Sequence, residues 1–436
     1  MNLPPTPSLP EVHRSLAIPS GAGFWRKLMA FAGPGYLVAV GYMDPGNWAT
    51  DLAAGSKYNY SLLCVILFSS VTAMFLQRLS LRLGIVTGHD LAQSCRQHYG
   101  KTAAIPLWIA AETAIAACDL AEVIGSAIAL NLLFHIPLLW GVLITTLDVL
   151  FLLLLQQRGF RYIEALVIVL IATIATCFGL ELLFSRPEIT PLLAGFLPSP
   201  SVVTDPGKLF IAIGILGATV MPHNLYLHSS IVQTRRYPLD QIGKKEALRF
   251  ATIDSHIALV IALAINAAIL ILSAATFHRA GRTDVAGIED AYHLLTPMMG
   301  ITGASTLFAI ALLAAGQNST LTGTLAGQIV MEGFLKISIP PWMRRLATRL
   351  IAIVPAIIVI ALSGDKAVNH LLLLSQVILS MQLSFAVIPL VQFTGSRRIM
   401  GDFVDPLWIR ALGWMIAVAI AGLNLWLLLL QFRNGF

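Results

Sequence analysis

Apolar residues run along this chain in long blocks, and short polar stretches divide them. Eleven blocks are long enough to cross a bilayer, which takes roughly 20 residues. They cover about 27–54, 59–83, 103–131, 137–156, 162–184, 208–234, 248–276, 301–335, 346–363, 368–392 and 405–431. Several exceed the minimal length, so tilt or extension beyond the bilayer is expected. The longest polar stretches between blocks are 84–102, 185–207, 235–247 and 277–300. The pattern predicts an all-α polytopic membrane protein with 11 transmembrane helices. Residues 1–24, rich in Pro and Ser, contain no apolar block. They are expected to form a disordered tail, without a cleaved signal peptide.

Two blocks carry residues that a membrane helix should avoid. In the first lies Gly41-Tyr-Met-Asp-Pro-Gly-Asn-Trp48. Pro45 lacks an N–H and clashes with the preceding turn, and Gly46 leaves helical geometry cheaply. The helix should break there and leave carbonyls near Gly41 to Met43 without intrahelical partners. Such groups persist at membrane depth only where protein, an ion or water satisfies them. Asp44 sits at the break, and a charge at that depth is a functional candidate. The sixth block is interrupted in the same way by Met221-Pro222-His223-Asn224. Both breaks read X-Pro-x-Asn. Corresponding interruptions in two halves point to a transporter binding site. Breaks in spans one and six fit two five-span repeats, 25–184 and 208–392. The loop 185–207 joins them, and 393–436 adds span eleven. Five is odd, so the second repeat is inverted, as in LeuT-like transporters with a midplane site between broken helices.

Composition agrees with the pattern. Of 436 residues, 57% are hydrophobic and 11% charged, against about 25% charged in soluble domains. The formal charge of +6 sits in loops and is no nucleic-acid signal. With the N-terminus in the cytoplasm, 21 of the 28 Lys and Arg fall on the inner side and 7 on the outer. The positive-inside rule therefore places the N-terminus inside and the C-terminus outside. Cys64, Cys95, Cys118 and Cys177 lie mostly within apolar blocks and form no CxxC pair. Disulfides are not expected, and a zinc knuckle is excluded.

The polar residues within the blocks suggest chemistry. The first break offers the Asp44 carboxylate, the Asn47 amide oxygen and a freed carbonyl. The second offers the Met221 thioether and carbonyls near Ala218 and Thr219. Hard oxygens with one soft sulfur suit a first-row divalent cation, whereas magnesium and calcium have little use for a thioether. Alone, Met221 would read as core filler. Beside two facing breaks it reads as a ligand. Gln376 and Gln382 on span ten could close a coordination shell or only hydrogen-bond a neighbouring helix. Span three carries Glu112, Asp119 and Glu122 on roughly one helical face. Such a row reads as a proton or ion path, or as a fixed salt-bridge network with Arg235 or Arg349. His223 could be a ligand, a proton acceptor or a spacer, and proton handling is preferred. Asp148 and Asp254 are less informative. The small and polar run Gly316–Gln328 in span eight permits close helix packing.

At this point the sequence resembles the Nramp family of proton-coupled divalent-metal transporters, of the bacterial manganese-importer type. The residues that carry this are Asp44-Pro-Gly-Asn47, Met221-Pro-His-Asn224, Leu83-Gly-Ile-Val-Thr-Gly-His-Asp-Leu-Ala-Gln93, Gly316–Gln328 and Ser375-Gln-Val-Ile-Leu-Ser-Met-Gln382. The likeness covers nearly all of the chain past residue 25. It implies a metal site of Asp44, Asn47, the Ala218 carbonyl and Met221, joined by Gln376 when occluded. It implies a proton route through Asp44, Glu122, Asp119 and His223, leading toward Glu112 and Arg235. It further implies a LeuT-like fold and import of Mn(II), with Fe(II), Co(II) and Cd(II) also accepted, by proton symport across a bacterial cytoplasmic (inner) membrane. The metal would be cargo, with no resident cofactor, and the protein a monomer. One departure is Ser384, where the family pattern has proline.

Two other readings compete. A sodium-coupled amino-acid symporter on the same fold would want a roomier, glycine-rich first break and no row of acids. An intramembrane metalloenzyme would need clustered histidines or three strong ligands beside a water. The sequence has neither, so an enzyme is not expected.

Overall fold

A computed structural model describes residues 7–434 apart from 20, 146, 148–158, 286 and most of 336–366. The described chain is helical except for one two-stranded pairing. In order, the elements are β1 (Leu16–Ala17), α1 (Phe24–Phe31), α2 (Pro34–Val40), α3 (Pro45–Tyr58), α4 (Leu63–Thr87), α5 (Leu91–Phe134), α6 (Leu138–Thr145), α7 (Phe160–Ser185), α8 (Ile189–Gly195), α9 (Ser201–Thr204), α10 (Pro206–Thr219), α11 (Pro222–Ile231), β2 (Arg235–Arg236), α12 (Gln241–Thr276), α13 (Ile288–Met299), α14 (Ala304–Leu335), α15 (Ala367–Thr394), α16 (Arg397–Met400) and α17 (Leu407–Asn434).

Local chemistry explains the boundaries. Gly88 closes α4 in the left-handed conformation, and its N–H donates to the Gly84 carbonyl, the usual glycine stop. Asp90 and Gln93 form a reciprocal capping box at the start of α5, which satisfies two orphan donors. Gly100 interrupts α5 with φ of 73°. The helix therefore begins as a short leg before its long apolar run. Asp205 and Asp240 cap α10 and α12 by accepting from backbone N–H groups of the first turn.

Seven helical stretches among the described residues are long and apolar enough to cross a membrane. They contain the expected spans one with two, three, five, six, seven, ten and eleven. Span eight corresponds to α14, 32 residues long. Span four is described only in its first part, as α6, and span nine lies almost wholly outside the described residues. Asp148 and Arg349 also lie outside the described residues.

Two groups of helices form the body. In one, α14 lies along α5 and α7; in the other, α12 lies along α2, α3 and α4. α10 and α11 pack between these groups and touch α3, α4, α5, α14 and α15. The span-eight run gives the close packing expected of it. A Cβ at Gly316 would meet the Ser126 hydroxyl at 2.2 Å. At the junction of the groups, the Trp48 ring stacks edge-on against Phe178 and Phe308, with centroids 4.8 and 5.2 Å apart.

The tail corrects an expectation. Residues 7–18 are ordered against the body rather than loose. β1 pairs in parallel with β2, Leu16 opposite Arg235 and Ala17 opposite Arg236. Leu9 is 1% exposed, the Ser8 and Ser230 hydroxyls are 2.6 Å apart, and Gln328 Nε2 donates to Glu11 Oε1 at 2.5 Å. One buried leucine and a set of long-range polar contacts outweigh a composition that looks disordered.

Candidate metal site at the paired helix breaks

Both interruptions are real chain breaks, and each is built as a new helix start. α2 ends at Val40, a single 3₁₀ turn covers Gly41–Met43, and Asp44 is extended with φ −71° and ψ 162°. Asp44 Oδ1 caps α3 by accepting from the Asn47 backbone N–H at 2.9 Å. Pro45 occupies the first helical position, where its missing N–H costs nothing. In span six, Val220 leaves helical geometry with φ −93° and ψ 80°, Met221 is extended and precedes α11, and Pro222 again stands first. The carbonyls freed at the first break are taken by protein donors. Asn266 Nδ2 donates to Tyr42 O at 2.7 Å and Trp48 Nε1 to Met43 O at 3.1 Å.

Asn47 joins the two breaks. Its Nδ2 donates to Asp44 Oδ1 at 2.6 Å and to the Ala218 carbonyl at 3.1 Å. Three expected ligands therefore meet around one amide. Asp44, Asn47 and Ala218 are all buried. Gln376 approaches from α15. A Cβ at Gly46 would meet Gln376 Nε2 at 1.7 Å and Asp44 Oδ2 at 3.2 Å, so only glycine admits the glutamine here. Asp44 Oδ2 and Gln376 Oε1 are buried without hydrogen-bond partners among the described residues. Met221 is buried in a small cluster with Ala114, Cys118 and Leu379. Among the described residues no three His, Cys, Asp or Glu gather as a metal cage. The oxygen donors here are one carboxylate, amides and a carbonyl.

The acids of span three divide. Asp119 and Glu122 are buried together facing α14, where a Cβ at Gly323 would lie 2.7 Å from Asp119 Oδ1 and 3.2 Å from Glu122 Oε1. Glu112 is half-buried two turns away and accepts from Trp108 Nε1 at 3.1 Å. Cys118 links this row to the second break. Its thiol donates to Glu122 Oε1 at 3.4 Å and lies 3.9 Å from His223 Nε2.

Arg235 pairs with an acid outside span three. Its guanidinium is 1% exposed and donates to Glu164 Oε1 of α7 at 2.6 Å. It also donates to the carbonyls of Phe31 and Ala32 at 3.1 and 2.7 Å. Glu164 was missed by sequence reading, since a lone acid near the end of a span carries no distinguishing signal. Asp254 fixes the same junction by accepting from the Gly33 and Gly35 N–H groups at 3.2 and 2.7 Å.

Other residues escaped sequence reading too. Gln77 Nε2 donates to the Tyr42 hydroxyl at 2.8 Å, and Gln77 Oε1 accepts from His228 Nδ1 at 2.9 Å. This chain ties the first break to α11 through α4. Asn224, fully buried against Gly41, has an amide with no partner among the described residues. Its position in the second break was the available signal. Asp51, two turns past Asp44, is buried with Oδ2 unpartnered among the described residues. Gln382 is buried. Ser384 accepts from Asn424 Nδ2 of α17 at 3.2 Å within an unbroken α15.

Paired broken helices, packed between two helix groups and lined by a buried carboxylate, define a multi-pass membrane transporter of LeuT-like architecture. Fold comparison agrees. Mhp1, a nucleobase-cation-symport-1 family transporter in a closed conformation, matches with a TM-score of 0.56 at 14% identity, covering 86% of this chain and 81% of its own. MhsT in complex with L-phenylalanine matches at 0.58 and 16%, covering 89% and 98%. These two likenesses speak to fold alone. The Nramp family model, natural resistance-associated macrophage protein-like, matches residues 35–430. The chain belongs to the Nramp family, and it is a membrane transporter rather than an enzyme. It is 62% identical to the divalent metal cation transporter MntH of Nostoc sp. over 423 residues, 97% of this chain and 96% of that one. It is 60% identical to the MntH protein of Xanthomonas campestris over 420 residues, 96% and 95% of the two chains. A manganese transporter of Eremococcus coleocola, in complex with an aromatic bis-isothiourea substituted compound, superposes with a TM-score of 0.90 at 42% identity, covering 96% of this chain and 90% of that one.

Proposed function

We propose that this protein imports Mn(II), and also Fe(II), Co(II) and Cd(II), by proton symport and alternating access. The observation that carries the proposal is the Asn47 amide bridging Asp44 Oδ1 and the Ala218 carbonyl across the two breaks. Two acceptors aimed at one point favour either an N–H donor or a cation. Rotation of the amide would turn Asn47 Oδ1 into the same space. Oxygens of Asp44, Asn47 and Ala218, with Gln376 and the Met221 sulfur of the second break, would then make a donor set suited to a first-row divalent ion. A single carboxylate keeps binding reversible, as cargo requires. Relatives named divalent metal cation transporter and manganese transporter support this reading. An amino-acid substrate is less well served, because Gln376 fills the space over Gly46 and the Pro45 ring presses on Gly125.

Protons would travel through His223, Cys118 and Glu122 with Asp119, which form a buried polar strip beside the site. The N-terminal face would be cytoplasmic, and the protein would sit as a monomer in a bacterial inner membrane. The test is Mn(II) uptake into proteoliposomes with an acidic exterior. The native protein should accumulate Mn(II) and acidify the lumen, and Asp44→Asn should do neither. Robust uptake by Asp44→Asn would place the site elsewhere.

A further inference from the structure

The ordered tail encloses a cavity of about 300 Å³ against the ends of α4, α11 and α12. Its basic lining comes from His13, Arg14, His89, Arg235 and Lys244, and among the described residues no carboxylate lines it. We propose that this cavity is a binding site for a phosphate-bearing anion, which clasps the N-terminal segment to the body of the protein.

The charge balance motivates this. Arg235 shares the Glu164 carboxylate with Arg161. Arg14 and Lys244 are not neutralised: among the described residues neither forms an ion pair with a carboxylate. Arg14 Nη2 donates to the Tyr237 carbonyl at 2.7 Å, with the guanidinium 5.8 Å from the Tyr237 ring centroid. Lys244 Nζ donates to the Val86 carbonyl at 2.8 Å. Two cations held at one concave site by neutral carbonyls keep most of their field for a ligand. Arg also forks onto phosphate oxygens, and Lys serves as a point charge.

The neutral groups fit the same ligand. His89 Nδ1 faces the Thr87 carbonyl at 3.0 Å, so that nitrogen carries the proton and Nε2 remains. Among the described residues His13 Nδ1 is buried without a partner, and so is Oε1 of Gln233, itself 3% exposed. Burial and the adjacent Arg14 hold the His13 imidazole below its ordinary range, so near neutral pH the charge comes from Arg14 and Lys244. Gln233 Oε1 requires a donor. A phosphate that keeps a hydroxyl, whether hydrogen phosphate or a glycerol-phosphate headgroup, supplies both acceptors for the cations and a donor for Gln233.

The experiment uses the full chain in phosphatidylcholine nanodiscs, without metal, so it does not depend on the transport reading. Sodium phosphate is titrated against sodium chloride of equal ionic strength while Tm is followed by tryptophan fluorescence. A saturable rise in Tm with phosphate alone, lost in Arg14→Gln/Lys244→Gln and kept in Arg14→Lys/Lys244→Arg, supports a soluble phosphate ligand. A rise seen only on exchanging phosphatidylcholine for phosphatidylglycerol, with the same variant pattern, assigns the site to a lipid headgroup. If the neutral double variant does not fold, equilibrium binding of radiolabelled phosphate and of labelled glycerol phosphate to the native chain decides. Equal shifts with chloride, or no saturable binding of either probe, would overturn the proposal.

Discussion

Asn47 is the residue on which the site turns. One amide satisfies a carboxylate from its own helix start and a carbonyl from the other break. The sulfur at Met221 should decide which cations are refused. Met221→Ala is expected to keep Mn(II) uptake within about tenfold of native, a loss of about 1.4 kcal/mol, while Ca(II) or Mg(II) begins to compete. Unchanged exclusion of Ca(II) would remove sulfur from the selectivity argument. Glycines offer a second test at this scale, because what stands over each differs. At Gly46 the neighbour is the end of a flexible Gln376 side chain, 1.7 Å from a built Cβ. Gly46→Ala should fold, displace Gln376 and raise the KM for Mn(II). At Gly125 the neighbour is the Pro45 ring, whose Cγ would lie 2.2 Å away. A ring cannot swing aside, so Gly125→Ala should cost about 1–3 kcal/mol of stability, read as a lower Tm, and impair uptake as well.

At the scale of elements, the two breaks act as helix starts rather than as damaged helices. Asp44 with Pro45, and Met221 with Pro222, are the residue pairs that open α3 and α11. This much was legible, because proline and a preceding extended residue act locally. What holds the start of α2 was not legible. There Gly33, at φ 140°, has Glu164 and Arg235 packed where a side chain would stand. The Glu164–Arg235 pair is 2% and 1% exposed. Removing one partner of such a pair leaves a buried charge uncompensated and typically costs about 3–5 kcal/mol. Glu164→Gln should therefore lower the apparent unfolding free energy by about that amount in detergent denaturation. The pair Glu164→Leu/Arg235→Met should recover part of it. A double variant no better than the single would mean that Arg235 acts through the Phe31 and Ala32 carbonyls instead.

Across the whole molecule, the N-terminal segment ties the end of span six to span eight. It reaches the end of span six through Ser230, Gln233 and β2, and span eight through Gln328. Alternating access needs spans six and eight to move relative to each other, so this tie should resist opening of the N-terminal face. Deleting residues 1–18 is expected to speed labelling of Ser230→Cys by a small thiol reagent by at least about tenfold, the change that about 1.4 kcal/mol of lost closure gives. The assay needs a background in which the four native cysteines are replaced. Equal labelling rates would show that the segment decorates the face without closing it.

The sequence by itself determined where the chain crosses the membrane over the described spans, where two of those spans break, and which donor atoms stand at the breaks. Hydropathy, proline and glycine act within a few residues, so their consequences follow from the order of residues alone. Only the tertiary structure decided that Asn47 donates to Ala218, 171 positions away, that Arg235 takes Glu164, and that Leu16–Ala17 pair with β2. Each of these choices is made by groups brought together through helix packing across the whole chain, and no local period or composition encodes which buried partner will be nearest.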